Sequence, residues 1–255
     1  ALFRGPDGAH DLYITREAML SMAHIRYGSD YSHRWGVEWS FADLRGSTFQ
    51  PGVGSYVKRS IISLSGSGEK QWNIDSNWML STQLQARFEI NSSATRAFSP
   101  MLSFALRRAE FPVRLRSSWS YNFRLPSFNE LYYFNYGTAN LLPERAHSFN
   151  VGAMWQITDG LSAEVNGFAI STSDQILAVP TSPISWSAQN IGSVFSRGVE
   201  SSITGEILDS LMMIRCAYTR QLATDESPGS ITAGNILPTI PQELFSVAPS
   251  YKFGE

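Results

Sequence analysis

Hydrophobic and polar residues alternate one by one along much of the chain, and a period of two places successive side chains on opposite faces of a strand. From 78 to 90, Trp78, Leu80, Leu84, Ala86, Phe88 and Ile90 share one face, while Ser81, Gln83, Gln85, Arg87 and Glu89 share the other. From 113 to 123, Val113, Leu115, Trp119, Tyr121 and Phe123 alternate with Arg114, Arg116, Ser118, Ser120 and Asn122. The same holds at 34–41, 150–157 and 197–207, and helical periodicity is nearly absent. The pattern predicts eleven strands, near 11–27, 34–44, 58–71, 78–90, 99–108, 113–123, 147–157, 161–172, 195–207, 211–223 and 242–253.

The connections between these strands alternate in length. Short ones hold Gly28-Ser29-Asp30, Ile74-Asp75-Ser76-Asn77, Ala109-Glu110-Phe111-Pro112, Thr158-Asp159-Gly160 and Leu208-Asp209-Ser210; long ones cover 45–57, 91–98, 124–146, 173–194 and 224–241. Tight turns on one side and extended loops on the other are the signature of an outer-membrane β-barrel. The strand lengths suit it, because about 9–11 tilted residues cross a bilayer. Backbone groups in lipid must all be paired, so the barrel has to close, within this chain or outside it. Pro100 and Pro249 fall in predicted strands and cost a ladder donor, which placement at a strand end or bulge would resolve.

Composition agrees with this reading. Of 255 residues, 16% are charged, below the roughly 25% usual in soluble domains. The net charge of -2 argues against nucleic acid as a partner. Aromatic residues make up 13%, as suits rings needed at two membrane interfaces. No run of about 18 apolar residues exists to form a transmembrane helix. The opening Ala1-Leu2-Phe3-Arg4-Gly5-Pro6 does not read as a signal peptide. Cys216, the only cysteine, excludes an intrachain disulfide and a multi-cysteine zinc site.

From Trp119 to Glu206 several short segments occur in a definite order. They are Ser120-Tyr121-Asn122-Phe123-Arg124-Leu125-Pro126, then Asn129-Glu130-Leu131-Tyr132, Asn140-Leu141-Leu142-Pro143-Glu144, Gly152, Phe168 with Asp174-Gln175-Ile176, Asn190-Ile191-Gly192 and Arg197-Gly198-Val199-Glu200. In this order they resemble the barrel of TonB-dependent receptors, with weaker likeness at Phe98-Ser99-Pro100 and Ile240-Pro241-Gln242. The resemblance implies an antiparallel transmembrane barrel of 22 strands around an N-terminal plug. Residues 1–255 would supply about eleven of those strands. No plug, energy-coupling segment or terminal aromatic strand is recognised, and Phe253-Gly254-Glu255 does not resemble a barrel's end, so the chain reads as a fragment. The implied function is uptake across the bacterial outer membrane of a scarce nutrient such as a ferric siderophore or cobalamin. The implied partners are outer-membrane lipid, a small-molecule or chelate ligand, and the TonB complex, reached through the missing plug.

Candidate binding residues follow from the loops. Tyr132-Tyr133-Phe134-Asn135-Tyr136 sets four aromatics beside a predicted membrane lip, which reads either as a stacking surface for ligand or as an interfacial girdle. Tyr133, Phe134 and Tyr136, with Trp186 of the 173–194 loop, are the ligand-binding candidates; Trp186 reads first as local packing. Arg87, Arg114, Arg116 and Glu200 face the predicted lumen and read first as solvated lumen charges, with pairing to plug carboxylates the alternative for Arg114 and Arg116. Pro143, Glu144, Asn190, Gly192 and Gly198 read as structural positions at strand entries.

Other chemistry is poorly supported. His10, His24, His33 and His147 have no metal-ligand spacing, and no cofactor is implied. His147-Ser148 invites comparison with a barrel hydrolase, but adjacent strand residues point to opposite faces. Gly66-Ser67-Gly68-Glu69-Lys70 lacks the full phosphate-loop pattern and reads as a flexible strand or bulge. A transporter without bond chemistry is therefore expected; the alternatives are a small complete barrel acting as a hydrolase and a passive porin.

Overall fold

The structure, a computed structural model, describes residues 12–92, 95–109, 111–207, 211–229, 232–238 and 240–253. Eleven strands form one antiparallel meander: β1 (Tyr13–Tyr27), β2 (Tyr31–Gly46), β3 (Tyr56–Asn73), β4 (Trp78–Asn91), β5 (Arg96–Arg108), β6 (Val113–Arg124), β7 (Glu144–Thr158), β8 (Leu161–Ser173), β11 (Ser193–Ile207), β12 (Met212–Asp225) and β13 (Glu243–Tyr251). Each corresponds to one of the strands expected from alternation. Within the β8–β11 connection a separate hairpin forms from β9 (Ile176–Ser182) and β10 (Ser185–Asn190), and the β6–β7 connection carries a short helix, α1 (Phe128–Tyr132). The sheet does not close: β1 and β13 remain its two edges.

Connection lengths depart from expectation once. The span expected to be long at 91–98 shrinks to 92–95, because β4 and β5 pair from Ile90↔Arg96 onward. The turn residues Glu110 and Leu208-Asp209-Ser210, the segment 1–11 with His10, and Gly254-Glu255 lie outside the described residues. The short turns show the local chemistry that makes them tight. Asp75 Oδ1 accepts from the backbone N–H of Asn77 at 2.7 Å and of Trp78 at 2.9 Å. Asp159-Gly160 joins β7 and β8 directly after Thr158↔Leu161.

Neither proline sits at a bulge: Pro100 is in regular register with Ala86 inside β5, and Pro249 with Ile214 near the end of β13. Pro100 lies one residue before the β5–β6 pairing begins at Met101↔Ser120, and Pro249 sits on the edge strand β13. Gly66 to Lys70 form neither a bulge nor a loop: they pair in regular register with β2 and β4.

Register carries one apolar face across the whole sheet. Leu20, Trp39 and Ile62 are cross-strand neighbours, as are Phe104, Ser117, Val151, Gly167 and Val199. Met22 is 78% exposed, Val151 64% and Leu84 62%. An apolar surface this extensive is unstable in water and stable against acyl chains. Toward the short-turn end, Trp72 and Trp78 face outward beneath Lys70 and Arg108, whose cations lie 4.6 and 5.6 Å from the ring centres. That is how interfacial rings and snorkelling cations divide an interface.

The opposite face is polar, and among the described residues the apolar core is confined to the loop end. Leu44, Val57, Ala97, Leu131, Ile176, Ala188, Val194 and Ala223 are buried. All belong to the strand ends on the side of the sheet that carries the long connections, or to those connections themselves. The loops are thus held by a small core of their own, above a wall that has none.

Candidate functional site

The β6–β7 connection is anchored by a carboxylate–guanidinium cluster. Ser127 and Glu130 form a reciprocal capping box on α1: the Ser127 hydroxyl accepts from the Glu130 N–H at 3.2 Å, and Glu130 Oε2 accepts from the Ser127 N–H at 2.7 Å. Arg124, at the end of β6, donates to both oxygens of Glu130, at 3.0 and 3.1 Å, and to both of Glu144, at 2.6 and 2.7 Å. Glu144 Oε1 also accepts from the Ile176 N–H, the first residue of β9, at 2.7 Å. One guanidinium therefore joins strand β6, helix α1, strand β7 and the β9–β10 hairpin. Arg59 of β3 adds a brace, donating to the Pro126 carbonyl at 2.7 Å while lying 5.0 Å from the Phe128 ring centre.

The ordered segments seen in the sequence meet here. Asn190 donates to the carbonyls of Leu142, at 3.0 Å, and Asp174, at 2.6 Å, and accepts from the Leu142 N–H at 2.8 Å. Gly192 has φ +41°, and a Cβ there would strike Ser227 of the next long connection. Glu144, Asn190 and Gly192 act as structural positions, in agreement with expectation. Arg124 and Glu130 were not singled out as a pair; the available signal was their membership of the Arg-Leu-Pro and Asn-Glu-Leu-Tyr segments. Arg59 carried no signal, since nothing in its own neighbourhood points 67 residues ahead to Pro126.

The aromatic candidates sit on this anchored platform. Tyr133 is half-buried, its ring 5.9 Å from that of Tyr13 and its backbone bridged to Phe49. Phe134 is 41% exposed, and its N–H donates to the Thr48 carbonyl at 3.2 Å. Tyr136 is half-buried and accepts through its carbonyl from the Ala188 N–H at 2.8 Å. Trp186, two residues away on β10, is 52% exposed. Gln50 donates to the Gly137 carbonyl. Three long connections, 47–55, 125–143 and 174–192, are therefore tied into one assembly that gathers all four aromatics at the loop end.

The lumen-side candidates form two separate clusters. Arg87 pairs with Glu38 at 2.8 Å and Glu89 at 2.6 Å, and donates to Ser63. Arg116 pairs with Glu164 and donates to Asn166, whose side chain folds over Gly152 where a Cβ would otherwise stand. Arg114 and Glu200 line the same polar concavity as Arg116, a space of about 490 Å³, without an ion pair among the described residues. His147 and Ser148 point to opposite faces: the His147 ring lies 4.7 Å from Tyr121, while Ser148 accepts from Asn122 at 3.4 Å. No cluster suited to a metal ion occurs among the described residues.

Burial alone would raise the Glu130 carboxyl, but hydrogen bonds from Arg124 and Ser127 outweigh it and hold the group below the usual glutamate range. A depressed carboxyl pKa contributes stability above its unfolded value, and that contribution is lost as pH falls through the folded value. We therefore expect the 125–143 connection to become susceptible to pepsin only below about pH 4.3, the ordinary glutamate value. Glu130→Gln should be susceptible already at higher pH; an unchanged pH profile in that variant would refute the assignment.

Comparisons with known proteins agree with this architecture. The family model described as TonB dependent receptor-like, beta-barrel matches residues 5–254. Among solved structures, the siderophore receptor PirA from Acinetobacter baumannii superposes with a TM-score of 0.71 at 15% identity, over 99% of this chain and 42% of that one. The ferric enterobactin receptor PfeA from Pseudomonas aeruginosa gives 0.71 at 15% identity, over 98% and 42%. The copper transporter OprC gives 0.68 at 17% identity, over 96% and 42%. The chain thus spans less than half the length of these three, and at such identities the likeness is one of fold. No curated protein sequence matches. The continuous meander, the apolar outer face, the anchored loops and the family match over nearly the whole chain place this protein in the TonB-dependent receptor β-barrel family.

Proposed function

We propose that this chain is part of the barrel of an outer-membrane receptor that takes up a scarce nutrient, such as a ferric siderophore or cobalamin, by coupling to the TonB complex through a plug encoded outside these residues. The observation that supports the reading is that the long connections carrying Phe134 and Tyr136 on one side and Trp186 on the other are tied to each other and braced at the loop end. Exposed rings on a rigid support bind a planar or aryl-bearing chelate at low entropic cost. Tyr133 supports the platform through Tyr13 and Phe49, and the other three meet the ligand. Arg114, Arg116 and Glu200 supply lumen charges for the plug or the passing ligand. Transport of this kind needs no catalytic residue.

The three structural neighbours are named for enterobactin, for siderophores in general and for copper. They favour a metal or its chelate as the cargo. The test is uptake of iron-loaded siderophores and of cobalamin by cells carrying the full receptor and its Phe134→Ala/Trp186→Ala variant. Each ring contributes about 1 kcal/mol, so the pair should weaken binding roughly 30-fold. Equal uptake by both proteins for every chelate offered would overturn the binding role.

A further inference from the structure

The long connections carry little charge and no cation. None of the 20 Lys and Arg residues falls in 47–55, 92–95, 125–143, 174–192 or 226–242, and the carboxylates there are Glu130, Asp174 and Glu226. Glu130 is taken up by Arg124, and Glu226 accepts from the Thr224 hydroxyl at 3.0 Å. Asp174 lies at the base of the β9–β10 hairpin in left-handed backbone, φ +55°. The residues that flank the exposed rings in sequence, Asn135, Thr138, Ser185 and Ser187, are neutral amides and hydroxyls.

Cations at the neighbouring strand ends do not make up the difference. Arg16, Arg45 and Lys58 share the outer face with Leu20, Phe41 and Ile62, while Arg96 stands opposite Ile90 and Arg145 opposite Phe123, so all five are on the membrane side. On the inner side of the same rim stand Arg59 and Arg124. Both are committed, Arg59 to the Pro126 carbonyl and the Phe128 ring, Arg124 to Glu130 and Glu144. Arg87, farther down the inner wall, pairs with Glu38 and Glu89. Among the described residues, a ligand arriving at the loop end therefore meets rings, hydroxyls and amides, and no uncommitted cation.

Such a surface selects by charge. An iron(III) tricatecholate keeps a net charge of minus three, because each catecholate brings two negative charges, and tight recognition of such an anion calls on guanidinium or ammonium groups. An iron(III) trihydroxamate is neutral, with one negative charge per arm against three positive on the metal, and cyanocobalamin is neutral as well. Their hydrocarbon and amide surfaces suit rings, hydroxyls and side-chain amides. We infer that the loop site takes a metal chelate without net negative charge, a trihydroxamate or a corrin, and rejects tricatecholates. The inference rests on the uptake reading above and narrows it to one charge class.

The test titrates the full receptor in detergent with an iron(III) trihydroxamate, cyanocobalamin and an iron(III) tricatecholate. One of the two neutral chelates should bind at least about tenfold more tightly than the tricatecholate, and which of them does so identifies the source. Its affinity should change less than about twofold from about 0.01 M to about 1 M salt, across which the Debye length falls from about 30 Å to about 3 Å. Ala139→Arg/Gln189→Arg adds two cations at exposed positions of the docked connections. This variant should gain at least about fivefold for the tricatecholate at low salt and stay within about twofold of the parent for the neutral chelate. Its folding is followed by the heat-dependent gel shift of the barrel. Equal or tighter binding of the tricatecholate by the parent would overturn the inference and leave the uptake reading standing, whereas failure to bind any of the three would overturn both. A folded variant that gains nothing for the tricatecholate would also overturn it, since charge at these connections would then not govern selection.

Discussion

Replacing Arg124 by Ala should release the entire 125–143 connection, destabilising it by about 3 kcal/mol, because the loss falls on more than one bond. The Arg124 side chain is 45% exposed, but Glu130 and Glu144 are only 16% and 17% exposed, so its removal strands two poorly solvated carboxylates. The half-exposed guanidinium keeps the figure below that of a fully buried triad. The Glu144 contact to Ile176 means that the β9–β10 hairpin loosens as well. Limited proteolysis of the full receptor at neutral pH should show cleavage within 125–143 and 174–192 while the barrel remains heat-modifiable. Arg124→Lys keeps the charge but not the paired forks, and should recover only part of the protection. Protease resistance equal to that of the parent protein would show that the cluster is not what holds the loops.

The second large effect is expected at Gly198, where the wall itself is at stake. Gly198 lies opposite Phe168 on β8, and a Cβ there would come within 2.6 Å of the Arg220 carbonyl oxygen and 2.7 Å of the Phe168 ring. The ring can turn away, but the backbone oxygen belongs to a paired strand and cannot. Gly198→Val should therefore cost about 3 kcal/mol through overpacking and strand displacement. The expected readout is a lowered midpoint in urea-driven unfolding from lipid vesicles. The double variant Gly198→Ala/Phe168→Ala should be milder than Gly198→Val because it removes one of the two obstacles. If Gly198→Val unfolds at the parent midpoint, close approach at this position has no energetic role.

These two sites also show why one level of the molecule is legible in the residues and another is not. Alternation such as Trp35, Val37, Trp39 and Phe41 against Arg34, Gly36, Glu38 and Ser40 was sufficient to place all eleven wall strands and their faces, since period two is a local property. The one departure from the expected connection lengths is also local. The 91–98 connection closed to four residues because pairing with β4 draws β5 back to Arg96. The β9–β10 hairpin is short and lies mostly outside the wall, so its residues lack the regular alternation of spanning strands.

The loop assembly was beyond local reading. Arg124, Glu130, Glu144 and Ile176 are separated along the chain by up to 52 positions, and nothing in their spacing states that one guanidinium serves them all. The same is true of Arg59 and Pro126, and of Asn190 and Leu142. Period-two patterning, turn residues and the order of short motifs suffice for strand number, inner and outer faces and family resemblance, because each is written within a strand or a single hairpin. Which loops meet, which aromatics share a platform and which charges are paired depend on strand register and loop docking. Those are settled by contacts between residues far apart in the chain, whose free energy exists only once the sheet has formed.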